Sequence, residues 1–259
     1  MKEIKNFLLD MDGTLYLGGR LFPETLPFLD TLEKTARKYI FFTNNSSKSR
    51  VEYLEKLSAM GIKTSPERII TSGTATISHI RSLNSSAGIY LMGTPGLEKE
   101  FTDAGFNLKA AHPDFVVLGF DKTLTYKKIE EGAYYIKKGV PFIATHPDLV
   151  CPTEDGSIPD TGSMIEMFYL STGVRPLVIG KPNPGMIEAA LKLTKGTPED
   201  TAMVGDRYYT DMEMGFRSGI KTVLVLSGET KREDVEGFKR KPDYVIENVG
   251  EITKAIKQG

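Results

Sequence analysis

Two aspartates close an apolar run near the amino terminus: Phe7-Leu8-Leu9 leads into Asp10-Met11-Asp12-Gly13-Thr14-Leu15. Carboxylates gathered at one place can hold a hard cation such as Mg²⁺ through oxygen. Gly13 supplies the turn that lets both serve one site. The competing reading is an Asp-rich surface turn that caps the following helix. An EF-hand loop does not fit, because the later acidic ligands and the closing Glu are missing.

Three further stretches have the same character. Thr43-Asn44-Asn45-Ser46-Ser47 offers hydroxyls, side-chain amides and helix-start amides that can donate to a phosphate. Ser46 and Ser47 read at least as well as helix caps. Gly180-Lys181-Pro182-Asn183-Pro184 can set a cation beside a phosphate, although a lysine in a turn is usually just solvated. Gly205-Asp206, with Asp211 following, can complete a metal site, or it is a second acidic turn in which Asp211 caps a helix.

The elements around these stretches decide whether they can meet. Ile4–Leu9 reads as a buried strand and Leu26–Lys38 as a helix with apolar residues at 26, 29, 32 and 36. Tyr39–Phe42 is the next strand. Lys48–Met60 is a helix with Val51, Leu54 and Leu57 on one face and Gly61 at its C-cap. Ser65-Pro66-Glu67 opens a further short helix. Ile89–Met92, Phe115–Leu118 and Phe142–Thr145 are strands, with a helix over Tyr126–Lys138. Leu177–Ile179, Met203–Val204 and Thr222–Leu226 form a third group, with helices near 185–195, 211–218 and 250–257. Strands alternating with helices predict a parallel sheet wrapped by helices. In such a sheet ligands bind beyond the carboxyl ends of the strands, where all four stretches fall.

Composition narrows the class. The chain has 259 residues, 33 basic and 34 acidic, for a net charge of −1. The densest basic stretch, from Lys231 to Lys241, is interrupted by acidic residues, so nucleic acid is a poor partner. One cysteine, Cys151, excludes an intramolecular disulfide. No run approaches the roughly 20 apolar residues of a membrane span, and Phe7–Leu9 is too short for a signal peptide. A cytoplasmic location is the expectation.

The four stretches in this order resemble the haloacid dehalogenase superfamily: DMDGT at 10–14, Thr43, Lys181 and GDRYYTD at 205–211. Phe42–Ser47, Gly119–Tyr126 and Gly180-Lys181-Pro182 are similar to its NagD-like branch, which holds 4-nitrophenyl, phosphoglycolate and pyridoxal phosphatases. The resemblance covers essentially the whole chain. It implies an α/β fold: a Rossmann-like parallel-sheet core over 1–74 and 177–259, with an inserted α/β cap over 75–176. The distance from Thr43 to Lys181 by itself demands an insertion.

The resemblance also implies a Mg²⁺-dependent phosphatase for a small phosphorylated metabolite. Asp10 would be the nucleophile and Asp12 the general acid and base. Asp10, the Asp12 backbone carbonyl and Asp206 would bind the metal, and Asp211 would orient its shell. Thr43, Asn44 and Lys181 would hold the phosphate, and a homodimer would form through the cap. The chain departs from the family at His146, where Asn is frequent, and at Asp160, where Gly is usual. Cys151 falls where relatives place a substrate-contacting side chain. His146 and Cys151 are therefore the candidates for specificity, against a plain reading as a loop histidine and a small buried thiol. The competing functions are a catalytically silent phosphate-binding or regulatory protein and a phosphotransferase.

Overall fold

The computed structural model describes residues 1, 3–153 and 156–258. In chain order, strand β1 (Asn6–Asp10) is followed by a short antiparallel pair, β2 (Tyr16–Leu17) and β3 (Arg20–Leu21), helix α1 (Thr25–Lys34), β4 (Lys38–Thr43), α2 (Arg50–Ala59) and β5 (Ile69–Thr71). Helix α3 (Ser72–Leu83) leads to β6 (Ile89–Met92), α4 (Pro95–Asp103), β7 (Phe115–Leu118), α5 (Tyr126–Lys137) and β8 (Phe142–Ala144). A second antiparallel pair, β9 (Val150–Thr153) and β10 (Gly156–Pro159), precedes α6 (Thr161–Thr172) and β11 (Leu177–Val178). The chain ends with α7 (Gly185–Thr194), β12 (Thr201–Gly205), α8 (Glu213–Ser218), β13 (Lys221–Val225), β14 (Tyr244–Ile246) and α9 (Gly250–Lys257).

These elements form two compact units. The first comprises Met1–Thr43, Lys56–Ile70 and Pro182–Gly259; the second comprises Asn44–Glu55 and Thr71–Lys181.

The first unit is built on a six-stranded sheet in the order β14-β13-β12-β1-β4-β5. β1 is buried at every residue except Asp10, as expected of a parallel strand covered on both faces. It pairs in parallel with β12 (Leu9 beside Val204) and with β4 (Asp10 beside Phe42). From β1 the chain first builds β4 and β5 on one side, and later β12, β13 and β14 on the other. The direction of winding therefore reverses between β1 and β12, and a crevice opens there beyond the strand ends. Phe7, Leu8, Leu9, Phe28, Phe41 and Val204 have no exposed surface, and Phe7 meets Phe28 edge-on with centroids 6.1 Å apart. Truncating a residue such as Leu8 to Ala should cost about 2–5 kcal/mol.

The second unit holds a four-stranded sheet in the order β11-β8-β7-β6, with parallel pairing throughout. Met92, Val116, Leu118 and Phe142 from its strands pack with Ile136 of α5 and with Ile165 and Phe168 of α6. Leu177–Val178, grouped by sequence with the later strands, adds to the edge of this sheet beside Ile143 and Ala144. Val178 packs against the same apolar cluster, which accounts for its side.

Helices α1 and α2 differ from expectation. α1 stops at Lys34, because Ala36 takes a left-handed backbone (φ 53°) and Lys38 already belongs to β4. Its buried face is Phe28, Leu29 and Leu32, whereas Leu26 is exposed. In α2, Val51 is also exposed and Leu54 half-buried, while Leu57 is buried as expected, together with Tyr53. Gly61 does close that helix, with φ 83° and Ile62 N–H donating to the Leu57 carbonyl at 2.9 Å. Among the described residues no helix is long and apolar enough to cross a membrane.

Candidate active site

Asp10 is the last residue of β1, and Asp206 follows the last residue of β12, so the two flank the crevice where the winding reverses. Asp211 joins them. One carboxylate oxygen from each of Asp10, Asp206 and Asp211 lies within 4.8 Å of the others, and the last two residues are buried. Like charges this close repel unless a proton or cation intervenes. An all-oxygen donor set of this kind fits a hard divalent cation.

The local chain is shaped around these carboxylates. Gly13 has φ 86°, and a Cβ there would stand 2.4 Å from Asp206 Oδ2. A Cβ at Gly228 would stand 2.0 Å from the same atom. Both positions need glycine, because the Asp206 carboxylate is wedged between two backbones. Glu229 N–H donates to Asp206 Oδ2 at 2.7 Å, and Ser227 Oγ donates to the Gly13 carbonyl at 2.8 Å. Thr14 Oγ1 reaches Asp206 Oδ1 at 3.4 Å. Sequence reasoning missed this loop at 227–229, whose only signal was a Ser-Gly-Glu turn after a strand.

Asp211 lies on a π-helical turn, Tyr208–Met212, that precedes α8. Such turns recur at functional sites. Its Oδ2 accepts from Arg207 N–H at 3.1 Å, so Asp211 sits inside the turn and reaches back to the N-cap residue instead of capping the helix itself, and it clusters with Asp10.

Asp12 is placed differently. Its side chain is 55% exposed and outside the trio, with Lys56 Nζ 3.9 Å away. The loop is held by Gly13 N–H donating to the Tyr16 carbonyl at 2.7 Å, and Lys56 sits 4.1 Å above the Tyr16 ring. Partial desolvation raises the Asp12 carboxyl above its ordinary value, while Lys56, the Gly18 backbone and Arg207 pull the other way. A carboxyl that keeps its proton longer is suited to donate one.

Thr43 ends β4, whose Phe42 lies beside Asp10. Asn44 and Lys181 belong to the second unit and are locked to each other. Lys181 N–H donates to Asn44 Oδ1 at 2.8 Å, and Asn44 Nδ2 donates to the Lys181 carbonyl at 3.0 Å. Asp148 accepts from the same Nδ2 at 3.2 Å. Lys181 is only 3% exposed, so it is not the solvated turn lysine that its residue type would suggest.

His146 and Asp160, the two departures from the family pattern, touch each other. His146 Nε2 lies 2.9 Å from Asp160 Oδ1, which also accepts from Thr161 N–H at the start of α6. Nε2 is therefore the donor and Nδ1 the acceptor. Ser72 Oγ gives its proton to the Asn44 carbonyl, which leaves Thr145 Oγ1, 2.9 Å away, to donate to Nδ1. His146 is fully buried with both nitrogens engaged. Cys151 is half-buried, with Asn45 Nδ2 at 3.9 Å from its sulfur. One ligating atom each from His146, Asp148 and Asp160 also fall within 4.8 Å of one another.

Comparison with known proteins gives the family. The haloacid dehalogenase-like hydrolase family profile matches residues 7–107, and a HAD-hydrolase-like profile matches 178–252. The 5'-nucleotidase YutF of Bacillus subtilis is 36% identical over 97% of this chain and 98% of its own. A 4-nitrophenylphosphatase structure from Thermotoga maritima superposes with a TM-score of 0.96 at 44% identity, covering 98% of each chain. A putative NagD protein superposes at 0.93 with 41% identity, over 98% of this chain and 99% of that one. The chain belongs to the haloacid dehalogenase-like hydrolases, among the NagD-like phosphatases. It is a phosphoric monoester hydrolase.

Proposed function

We propose that this chain hydrolyses phosphate monoesters of small metabolites through an aspartyl-phosphate on Asp10, with Mg²⁺ as cofactor. The observation that carries the reading is the convergence of the Asp10, Asp206 and Asp211 carboxylates beyond the end of β1. Asp10, Asp206 and the Asp12 carbonyl would hold Mg²⁺, with Asp211 fixing the arrangement. When bound, the ion offsets the repulsion between carboxylate and phosphate.

An Asp10 oxygen attacks phosphorus in line; the new P–O bond forms as the ester P–O bond breaks. Asp12 gives its proton to the departing oxygen, then takes one from the water that attacks the aspartyl phosphate. That water breaks the bond to Asp10 and restores the carboxylate. Thr43, the Asn44 amide and Lys181 balance the charge of the transferring group. Residues 75–176 serve as the cap that selects the leaving group, His146 acts by shaping its loop, and Cys151 lines it. A cytoplasmic location and a cap-mediated homodimer complete the reading.

The test is hydrolysis of 4-nitrophenyl phosphate by wild type and Asp10→Asn, each with Mg²⁺ and with EDTA. Asp10→Asn should lose about 10³-fold or more, and wild type should be silent in EDTA. Substantial turnover by Asp10→Asn would overturn the assignment. A phosphotransferase would instead show phosphoryl transfer to a sugar acceptor outcompeting water.

A further inference from the structure

At the opposite ends of β1 and β4 from Asp10 and Thr43, the first unit has a cleft of about 530 Å³ lined by Lys5, Arg37, Lys38 and Lys195, with Asp200 as the one acidic residue. That volume lies within the range of small-molecule sites. Two of the four cations have an ordinary structural purpose. Lys38 Nζ donates to the Thr194 carbonyl at the end of α7, and Arg37 Nε donates to the Ile4 carbonyl at 3.1 Å. Lys5 and Lys195 have no ion-pair partner among the described residues. Asp200 is turned to its own surroundings, accepting from Asn6 Nδ2 at 2.8 Å and Thr197 N–H at 2.9 Å.

The charges do not cancel. The carboxyl ends of α1 and α7 both reach this cleft, through Thr35 and Thr194, and each brings about half a negative charge. Those partial charges and Asp200 set against the four cations still leave Lys5 and Lys195, two positive charges at the cleft, without an ion pair among the described residues. The backbone adds a second indication. Ala36 (φ 53°) and Lys195 (φ 54°) are the non-glycine residues with left-handed backbone among those described, and both line the cleft. A helix C-cap in this conformation is where glycine is favoured. Lysine at 195 keeps a cation at the rim against that preference.

We propose that this cleft binds a small phosphate-type dianion at a site separate from the carboxylate trio. The trio lies beyond the carboxyl ends of β1 and β12, and the cleft lies at the amino ends of β1 and β4. The recognition is by charge and hydrogen bonds from Lys5 and Lys195, with Arg37 and Lys38 as the fixed wall.

The test is a titration of the full chain with inorganic pyrophosphate at mildly acidic pH, where it is mostly the dianion, without divalent metal and at constant ionic strength, followed by backbone-amide NMR. Saturable shifts at Lys5, Ala36 and Lys195 are expected. The Lys5→Gln/Lys195→Gln variant should weaken that binding about tenfold or more, while its hydrolysis of 4-nitrophenyl phosphate without pyrophosphate stays within about twofold of wild type. Lys5→Gln alone repeats the test without touching the end of α7. Absent or unsaturable shifts at these amides, or saturable shifts unchanged in the variants, would overturn the site.

Discussion

Two clusters in this molecule each bring three metal-ligating side chains within 4.8 Å, and they solve the electrostatic problem in opposite ways. In the second unit, His146 donates to Asp160 within the cluster, and Asn44 donates to Asp148. In the first unit, Asp10, Asp206 and Asp211 are all acceptors when ionised, and no member can satisfy another. The lesson is that nearness of ligating atoms does not by itself mark a cation site. What marks it is a group of like charges that folding has gathered without a matching donor within the group.

Replacing a member of each cluster should therefore act differently at the two places. The largest effect is expected on turnover. Asp206→Asn should lower kcat for 4-nitrophenyl phosphate by about 10²-fold or more. The same substitution should not lower the melting temperature in EDTA, and it should abolish the rise that Mg²⁺ gives wild type. A variant that melts well below wild type in EDTA and still responds fully to Mg²⁺ would place the metal elsewhere.

In the second unit, His146→Asn alone should destabilise by about 2–4 kcal/mol, since it leaves a buried carboxylate short of its donor. Asp160→Gly alone loses the same bond and the start of α6. The double variant, which restores the residue types of the resembling family, should cost less than the two singles combined by about 1–3 kcal/mol. Urea unfolding of the four proteins measures this coupling. Strict additivity would mean that the 2.9 Å contact is incidental. None of these variants should change the Mg²⁺ dependence.

Legibility in the sequence follows the same division. Asp10 and Asp206 could be found because each ends a buried strand, and parallel sheets place their ligands there. The wedging of Asp206 between Gly13 and Gly228 was hidden, since position 228 is distant in the chain and its glycine resembles any turn. His146 and Asp160 were visible as separate oddities. Their contact was not, because β9 and β10 intervene and nothing local sets where the chain returns. The end of α1 was misread because apolar spacing continued to Ala36, while the backbone had already turned left-handed there.

Asn44 follows the strand beside Asp10 in the chain, and its amide grips both polar atoms of the Lys181 backbone. Asn44→Ala should lower kcat/KM about tenfold by letting Lys181 shift. Asn44→Asp keeps the Oδ1 acceptor for the Lys181 N–H but sets a carboxylate against Asp148, so it should be worse than Ala. An Asp variant as active as wild type would show that the clasp does not position the lysine.

The smallest expected effect concerns Asp12. Its carboxyl lies above the ordinary value because desolvation outweighs Lys56 and Arg207. Hydrolysis needs Asp12 protonated for the first step, so kcat/KM should fall as pH rises through that raised value. Lys56 favours the charged carboxylate from 3.9 Å, and Lys56→Met removes that pull. The Asp12 value should then rise further, and the alkaline limb of kcat/KM should move to higher pH. The movement should be small, since the side chain is 55% exposed and water screens the pair. Raising the salt concentration for wild type should move the limb the same way, because screening weakens the same attraction. A limb that does not move in Lys56→Met, or moves to lower pH, would mean that Asp12 does not control the first step.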